Sequence, residues 1–160
     1  MLDAWIVNAS PSIILGRIGR LELLDALSSK VGVPAAVIDE VRAGLADDPG
    51  AAATLAWAGQ YRLDDQPVPG AIGMWGLGAG ESQVLSHCLG GSGLAILDDL
   101  AARRCAKAHQ IPIMGTLGVI LSAKRAGLIP LARPLVVQAI AAGLYLDARL
   151  VAGSLAAIGE

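Results

Sequence analysis

Acidic side chains are scarce in this chain, 14 Asp and Glu among 160 residues, and several stand where an apolar run gives way to a helical stretch. Leu94-Ala-Ile-Leu ends on the pair Asp98-Asp99, which opens a helical segment. Gly80-Glu81 starts another, and Asp39-Glu40 lies just inside a third. The corresponding place after the first apolar run, Ala4-Trp-Ile-Val, holds the amide Asn8 instead of an acid. Ligands of open α/β sheets collect outside the carboxyl ends of the strands, so these positions could converge on one site. A group of carboxylates there points to Mg²⁺ or Mn²⁺, because hard cations take oxygen ligands.

Strand ends and helix starts are needed to hold such a group, and the sequence supplies both. Ala4–Asn8 is apolar on both faces, which suits the middle of a parallel sheet. Ser10-Pro11 reads as an N-cap followed by proline at the first helical position. That helix should break near Gly16–Gly19 and resume over Arg20–Leu27. Val31–Val33 reads as a short strand, with Pro34 opening a helix through Leu45 and Asp48-Pro49 opening another through Ala58. Tyr61–Leu63 is a weak strand candidate. Gln66–Ala79 is a Gly- and Pro-rich loop that also carries Ile72, Met74, Trp75 and Leu77. Its apolar residues either tuck onto the core or face a partner. Helix Glu81–Leu89, strand Leu94–Leu97, helix Leu100–His109, strand Ile111–Met114 and helix Leu117–Ala126 follow, then helices near Arg133–Ala142 and Asp147–Ala157. Alternating strands and helices call for a parallel sheet covered on both faces, in a single domain over residues 1–160.

Composition narrows the function classes. A chain that is 54% hydrophobic and 16% charged is not disordered, and it has more apolar surface than a monomer needs. A homo-oligomer or a partner interface is the expectation. The net charge of −2 argues against nucleic-acid binding through bulk charge and leaves room for a local basic patch. The longest apolar stretches, Ile111–Ala123 and Pro134–Leu146, are shorter than the roughly 18–20 residues of a membrane span. Asp3 ahead of the first apolar run is unlike a secretory signal. Cys88 and Cys105 have no metal-type spacing and read as buried thiols, which fits a cytoplasmic location.

Five segments occur in order along the chain: Asn8-Ala-Ser10-Pro11, Pro34-Ala-Ala-Val-Ile-Asp39-Glu40, Gly80-Glu81, Asp98-Asp99-Leu-Ala-Ala-Arg103 and Gly115-Thr116-Leu-Gly118. Together they resemble the PIN-domain family, in particular a prokaryotic branch related to VapC-type toxins. The resemblance implies a three-layer α/β/α sandwich with a central parallel sheet of four to five strands. It also implies a metal-dependent endoribonuclease whose acidic cluster holds Mg²⁺ or Mn²⁺, with RNA as substrate and an antitoxin-like protein as partner. Carried over by motif, Glu40, Glu81 and Asp99 are the catalytic acids. Asn8, Glu40, Glu81 and Asp99 hold metal, and Asp98 is a substitute or neighbouring ligand. Ser10, Arg103 and Thr116 fall on the substrate side. Asn8 departs from the Asp that many members carry; its oxygen can still ligate a cation but brings no charge. A PIN-like module that binds RNA or a protein without cutting is the alternative.

The same residues also have structural readings. Glu81 and Asp99 at helix starts are stabilised by the helix dipole alone. Asp99 and Arg103, spaced i,i+4, could pair on a solvated face, and Asp39 reads as a surface acid. The basic residues Arg103, Arg104 and Lys107, with Lys124 and Arg125, stand late in their helices, where cations complement the dipole. If functional they would hold an RNA backbone. Gly115-Thr116-Leu-Gly118 lacks the Lys of a P-loop and reads as a tight strand–helix turn. His87 and His109 take no role, and Trp5, Trp57 and Trp75 are too dispersed for a base-stacking platform.

Overall fold

The computed structural model describes residues 4–44, 48 and 50–160. Its first half contains β1 (Trp5–Val7), α1 (Ala9–Arg17), α2 (Glu22–Leu27), β2 (Val31–Pro34), α3 (Ala35–Gly44), α4 (Ala51–Gln60) and β3 (Arg62–Leu63). Then come α5 (Gly70–Gly73), α6 (Ala79–Cys88), β4 (Leu94–Ile96), α7 (Leu100–Ala108) and β5 (Ile113–Met114). The chain continues through α8 (Thr116–Arg125), α9 (Arg133–Ala141) and α10 (Ala148–Ala156). The expected end of one helix at Leu45 and the start of the next at Pro49 lie outside the described residues.

All five strands are parallel, in the order β3-β2-β1-β4-β5. Every residue of β1 and β4 is buried. Consecutive strand residues point to opposite faces, so full burial means that helices cover both sides of the sheet. This is the expected three-layer α/β/α sandwich. The core is aliphatic, with Leu15, Leu24, Leu85, Ile96, Leu97 and Ile120 among its largest fully buried side chains. Burial pushes the Cys88 thiol up to about 12, so it is a packing residue and not a nucleophile.

From β1 the chain winds outward to β2 and β3, then returns to β4 and winds outward again to β5. The direction reverses between β1 and β4, whose strands pair Trp5 with Leu94 and Val7 with Ile96. The carboxyl ends of these two strands flank the crevice where such sheets bind ligands. Asn8 follows β1 directly, and Asp98 follows β4 after Leu97.

Three local differences from the sequence expectation bear on the site. Helix α1 begins at Ala9, so Asn8 takes the cap position with extended backbone, and Ser10 and Pro11 fall inside the first turn. Proline is accepted there because first-turn N–H groups have no helical partner to lose. The Ser10 hydroxyl, relieved of capping, is free to reach across to the neighbouring strand end. Pro34 closes β2 instead of opening α3. The Gly- and Pro-rich segment is not wholly irregular: it contains the single turn α5, which buries Ile72 completely.

That segment is fastened at its start. The Asp65 carboxylate accepts from Ala36 N at the beginning of α3 (3.1 Å). The Gln83 side chain accepts from Gln66 N (3.0 Å) and donates to Gln66 O (2.7 Å). Past Ile72 it turns Met74 outward, 82% exposed, with Trp75 39% exposed beside it. The expected tuck onto the core is met by Ile72, while Met74 and Trp75 stay exposed. Among the described residues no helix is long and apolar enough to cross a membrane.

Candidate metal and active site

Helices α6 and α8 both begin behind a glycine, Gly78 and Gly115, that offers no side-chain cap. In each case a carboxylate from elsewhere in the chain supplies it. Glu40, on α3, accepts from Gly80 N through Oε1 (2.8 Å). Asp98, at the end of β4, accepts from Thr116 N through Oδ1 (2.8 Å) and from the Thr116 hydroxyl through Oδ2 (2.6 Å). Helix N-termini favour negative charge, so both carboxylates are held where the backbone stabilises them.

Glycine is required for these approaches. A Cβ on Gly80 would stand 2.8 Å from both Glu40 oxygens, and one on Gly115 would stand 2.8 Å from Asp98 Oδ1. The Gly115-Thr116-Leu-Gly118 segment is thus the tight strand–helix turn expected, made tight by a carboxylate lodged against it.

Between these two cradles lies Asn8, only 1% exposed. Its Nδ2 donates to Glu81 Oε1 at 3.4 Å, while its Oδ1 is buried with no hydrogen-bond partner. Two residues on, the Ser10 hydroxyl donates to Asp98 Oδ2 at 3.3 Å. The start of α1 therefore links the Glu81 side of the site to the Asp98 side. Glu40 and Glu81 share the first turn of α6. The Glu40 pKa is raised, mainly by burial and further by the Glu81 charge, against a lowering pull from the Gly80 amide.

The structure thus brings Asn8 to Glu81, Glu81 to Glu40, and Ser10 and Thr116 to Asp98. It treats the two adjacent aspartates differently. Asp99 is exposed and accepts from Ala102 N (2.9 Å) as the N-cap of α7, while half-buried Asp98 occupies the strand end. The rule that the residue immediately before a helix takes the cap already contained this division of labour. Arg103 does not pair with Asp99; its guanidinium donates to Leu97 O (3.1 Å) and lies close to Asp98 beside Gly115. Asp39 is exposed and pairs with Arg42 (2.9 Å), the solvated-face arrangement expected of it.

Among the described residues no three acidic, histidine or cysteine side chains stand together closely enough to hold a metal ion. What the structure offers instead is Glu40 and Glu81 at the start of α6 and the neighbouring amide of Asn8. An amide oxygen that is buried and lacks a donor has no protein group to satisfy it, and a cation would do so. Mg²⁺ commonly keeps several waters and binds through only one or two carboxylates, so these residues fit a hydrated hard cation better than a closed cage.

A family model described as PIN domain, DUF3368, matches residues 4–160. The chain belongs to the PIN-domain family. A nuclease-type fold and the acidic crevice go together in this family, whose members generally use divalent metal ions. No match was found among curated proteins or among solved structures. Membership accounts for the five ordered segments of the sequence, each of which now has a place around the crevice or in its supports.

Proposed function

We propose that this PIN domain is a metal-dependent endoribonuclease, related to the VapC-type toxins and working on single-stranded RNA with Mg²⁺ or Mn²⁺. The observation that carries the reading is the unpartnered Asn8 Oδ1, buried beside Glu81 at the point where the sheet reverses. Asn8, Glu40 and Glu81 would hold the hydrated ion, with Asp98 meeting it through a water and Asp99 fixing the start of α7 behind them. When bound, the cation would supply Lewis acidity and make its bound water more acidic. Glu40 keeps Oε2 clear of the Gly80 amide, and its raised proton affinity suits that oxygen to receive a proton. Ser10 and Thr116 orient Asp98, and Arg103 is placed to meet a phosphate beside it. The test is cleavage of a single-stranded RNA by the purified protein with Mn²⁺, with Mg²⁺ and with EDTA. Cleavage should require metal; no cutting and no calorimetric binding of either ion would sink the proposal.

A second reading, a module that binds RNA or protein without cutting, is favoured by one observation. Asn8 brings no charge to the site, and the metal affinity of an oxygen-ligand site grows with ligand charge. The exposed Met74 and Trp75 on their fastened segment suit a protein partner, either a second copy or an antitoxin-like chain. Sedimentation at micromolar concentration is expected to give a mass above the 16.2 kDa of one chain. A monomer at every concentration would leave that surface to a different protein. The two buried free thiols accord with a cytoplasmic setting.

A further inference from the structure

Only five aromatic side chains occur in the chain, three Trp and two Tyr. Trp5 and Trp57 are buried, and Tyr61 packs against Trp57 with ring centroids 5.4 Å apart. Tyr145 is the opposite case, 95% exposed. It stands on the short link between α9 and α10, and that link is fixed at both ends. Leu144 is buried and donates its N–H to Ala139 O (3.0 Å). Asp147 caps α10 by accepting from Arg149 N (2.9 Å) and Leu150 N (3.1 Å). A large ring is thus held out in solvent by a backbone with little freedom.

Tyr145 lines a cleft of about 510 Å³ to which Asp98, Arg103, Gly115 and Asp147 also contribute. The rest of the lining is mostly apolar, with Leu100, Ile113, Met114, Leu117 and Leu150 among it. The volume lies within the range of small-ligand sites. Because Asp98 belongs to the lining, whatever fills the cleft adjoins a group bound at that carboxylate. The lining suits a flat, mostly apolar body, while Arg103 suits the phosphate next to it.

We propose that this cleft is a nucleobase subsite: it receives the base adjacent to the scissile phosphate of a single-stranded RNA, with Tyr145 as the stacking face. The inference rests on the ribonuclease reading for its substrate class and adds the place where that substrate is gripped. Bases of unpaired RNA stack on aromatic side chains with little dependence on sequence. The apolar side chains of the cleft offer the base a second surface besides Tyr145. Selectivity at this position would follow the size of the base more than its hydrogen-bonding edge.

The test uses the intact protein in EDTA, where nothing is cut, and measures anisotropy of a fluorescein-labelled hexaribonucleotide. Tyr145→Ala should weaken binding roughly 5- to 150-fold, the effect of one lost base–aromatic stack, and Tyr145→Phe should bind like wild type. An abasic hexamer should show no difference among the three proteins. An exposed side chain leaves the fold intact when shortened, which equal melting temperatures would verify. Equal binding of the hexamer by wild type and Tyr145→Ala overturns the subsite, as does an equal loss with the abasic strand. The two readings separate cleanly. Metal-dependent cleavage with an unchanged KM in Tyr145→Ala keeps the nuclease and removes the subsite. Base-dependent binding without cleavage in Mn²⁺ keeps the subsite and removes the nuclease. Absence of any RNA binding removes this proposal outright.

Discussion

Asn8→Asp should melt about 10 °C below wild type in EDTA and recover much of that loss when Mg²⁺ or Mn²⁺ is added. Asn8 is 1% exposed and its amide donates to Glu81 Oε1. The aspartate would set a second carboxylate against Glu81 in place of a donor, and two carboxylates so placed cannot both ionise without cost. Losing a hydrogen bond to a charged group and setting a like charge in its place costs about 3 kcal/mol, and each kcal/mol is worth roughly 2–4 °C in a domain of this size. The added charge strengthens cation binding. At a metal concentration 100 times Kd, mass action returns about 2.7 kcal/mol, comparable with the loss. Wild type should respond to the same ions by a smaller shift, and RNA cleavage should rise in the variant. A variant that melts identically in EDTA and in Mn²⁺ would show that no cation is held at this strand end.

The second large effect separates the two adjacent aspartates. Asp98→Asn should lower RNA cleavage by about 100-fold or more while leaving the melting temperature close to wild type. The amide oxygen can still accept from Thr116 N, and the Thr116 and Ser10 hydroxyls can turn to accept from the new NH₂ group. Charge at the strand end is lost while the hydrogen-bond pattern survives. Asp99→Asn should change cleavage only severalfold, because Asn caps a helix about as well as Asp. Initial rates on one RNA for the three proteins decide the matter. If Asp99→Asn is the inactive one, the strand-end role belongs to Asp99, as the motif order alone suggested.

Much of this architecture was legible because parallel strands buried on both faces read as short apolar runs. All five runs became strands, and Asn8 and Asp98 follow the carboxyl ends of the two central ones. The site was legible in its members and less so in their duties. Ser10 looked like a cap because Ser before Pro usually is one; starting the helix at Ala9 turned its hydroxyl toward Asp98 instead. Asp98 and Asp99 are the same residue type side by side, and their different burial and partners come from pairs as distant in sequence as Asp98 with Thr116 N, which leave no local pattern. Gly80 read as a helix start and Gly115 as a turn residue, whereas their need is for the space a carboxylate occupies. Tyr145 gave no signal at all. Its meaning depends on a cleft shared by α7, β5, α8 and α10, which no window of sequence contains.

The reversal of strand order between β1 and β4 also fixes when the site can come into being. Asn8 is synthesised early, but β1 does not acquire β4 beside it, nor Asp98 its anchor at Thr116, until the chain has grown past the start of α8. Closing so distant a pairing is slow, and domains complete their packing only once the elements that cover the sheet have emerged. A growing polypeptide therefore has Glu40 and Glu81 in place before anything anchors Asp98 opposite them. Such an ordering leaves the crevice incomplete until Thr116 and the helix it opens have emerged.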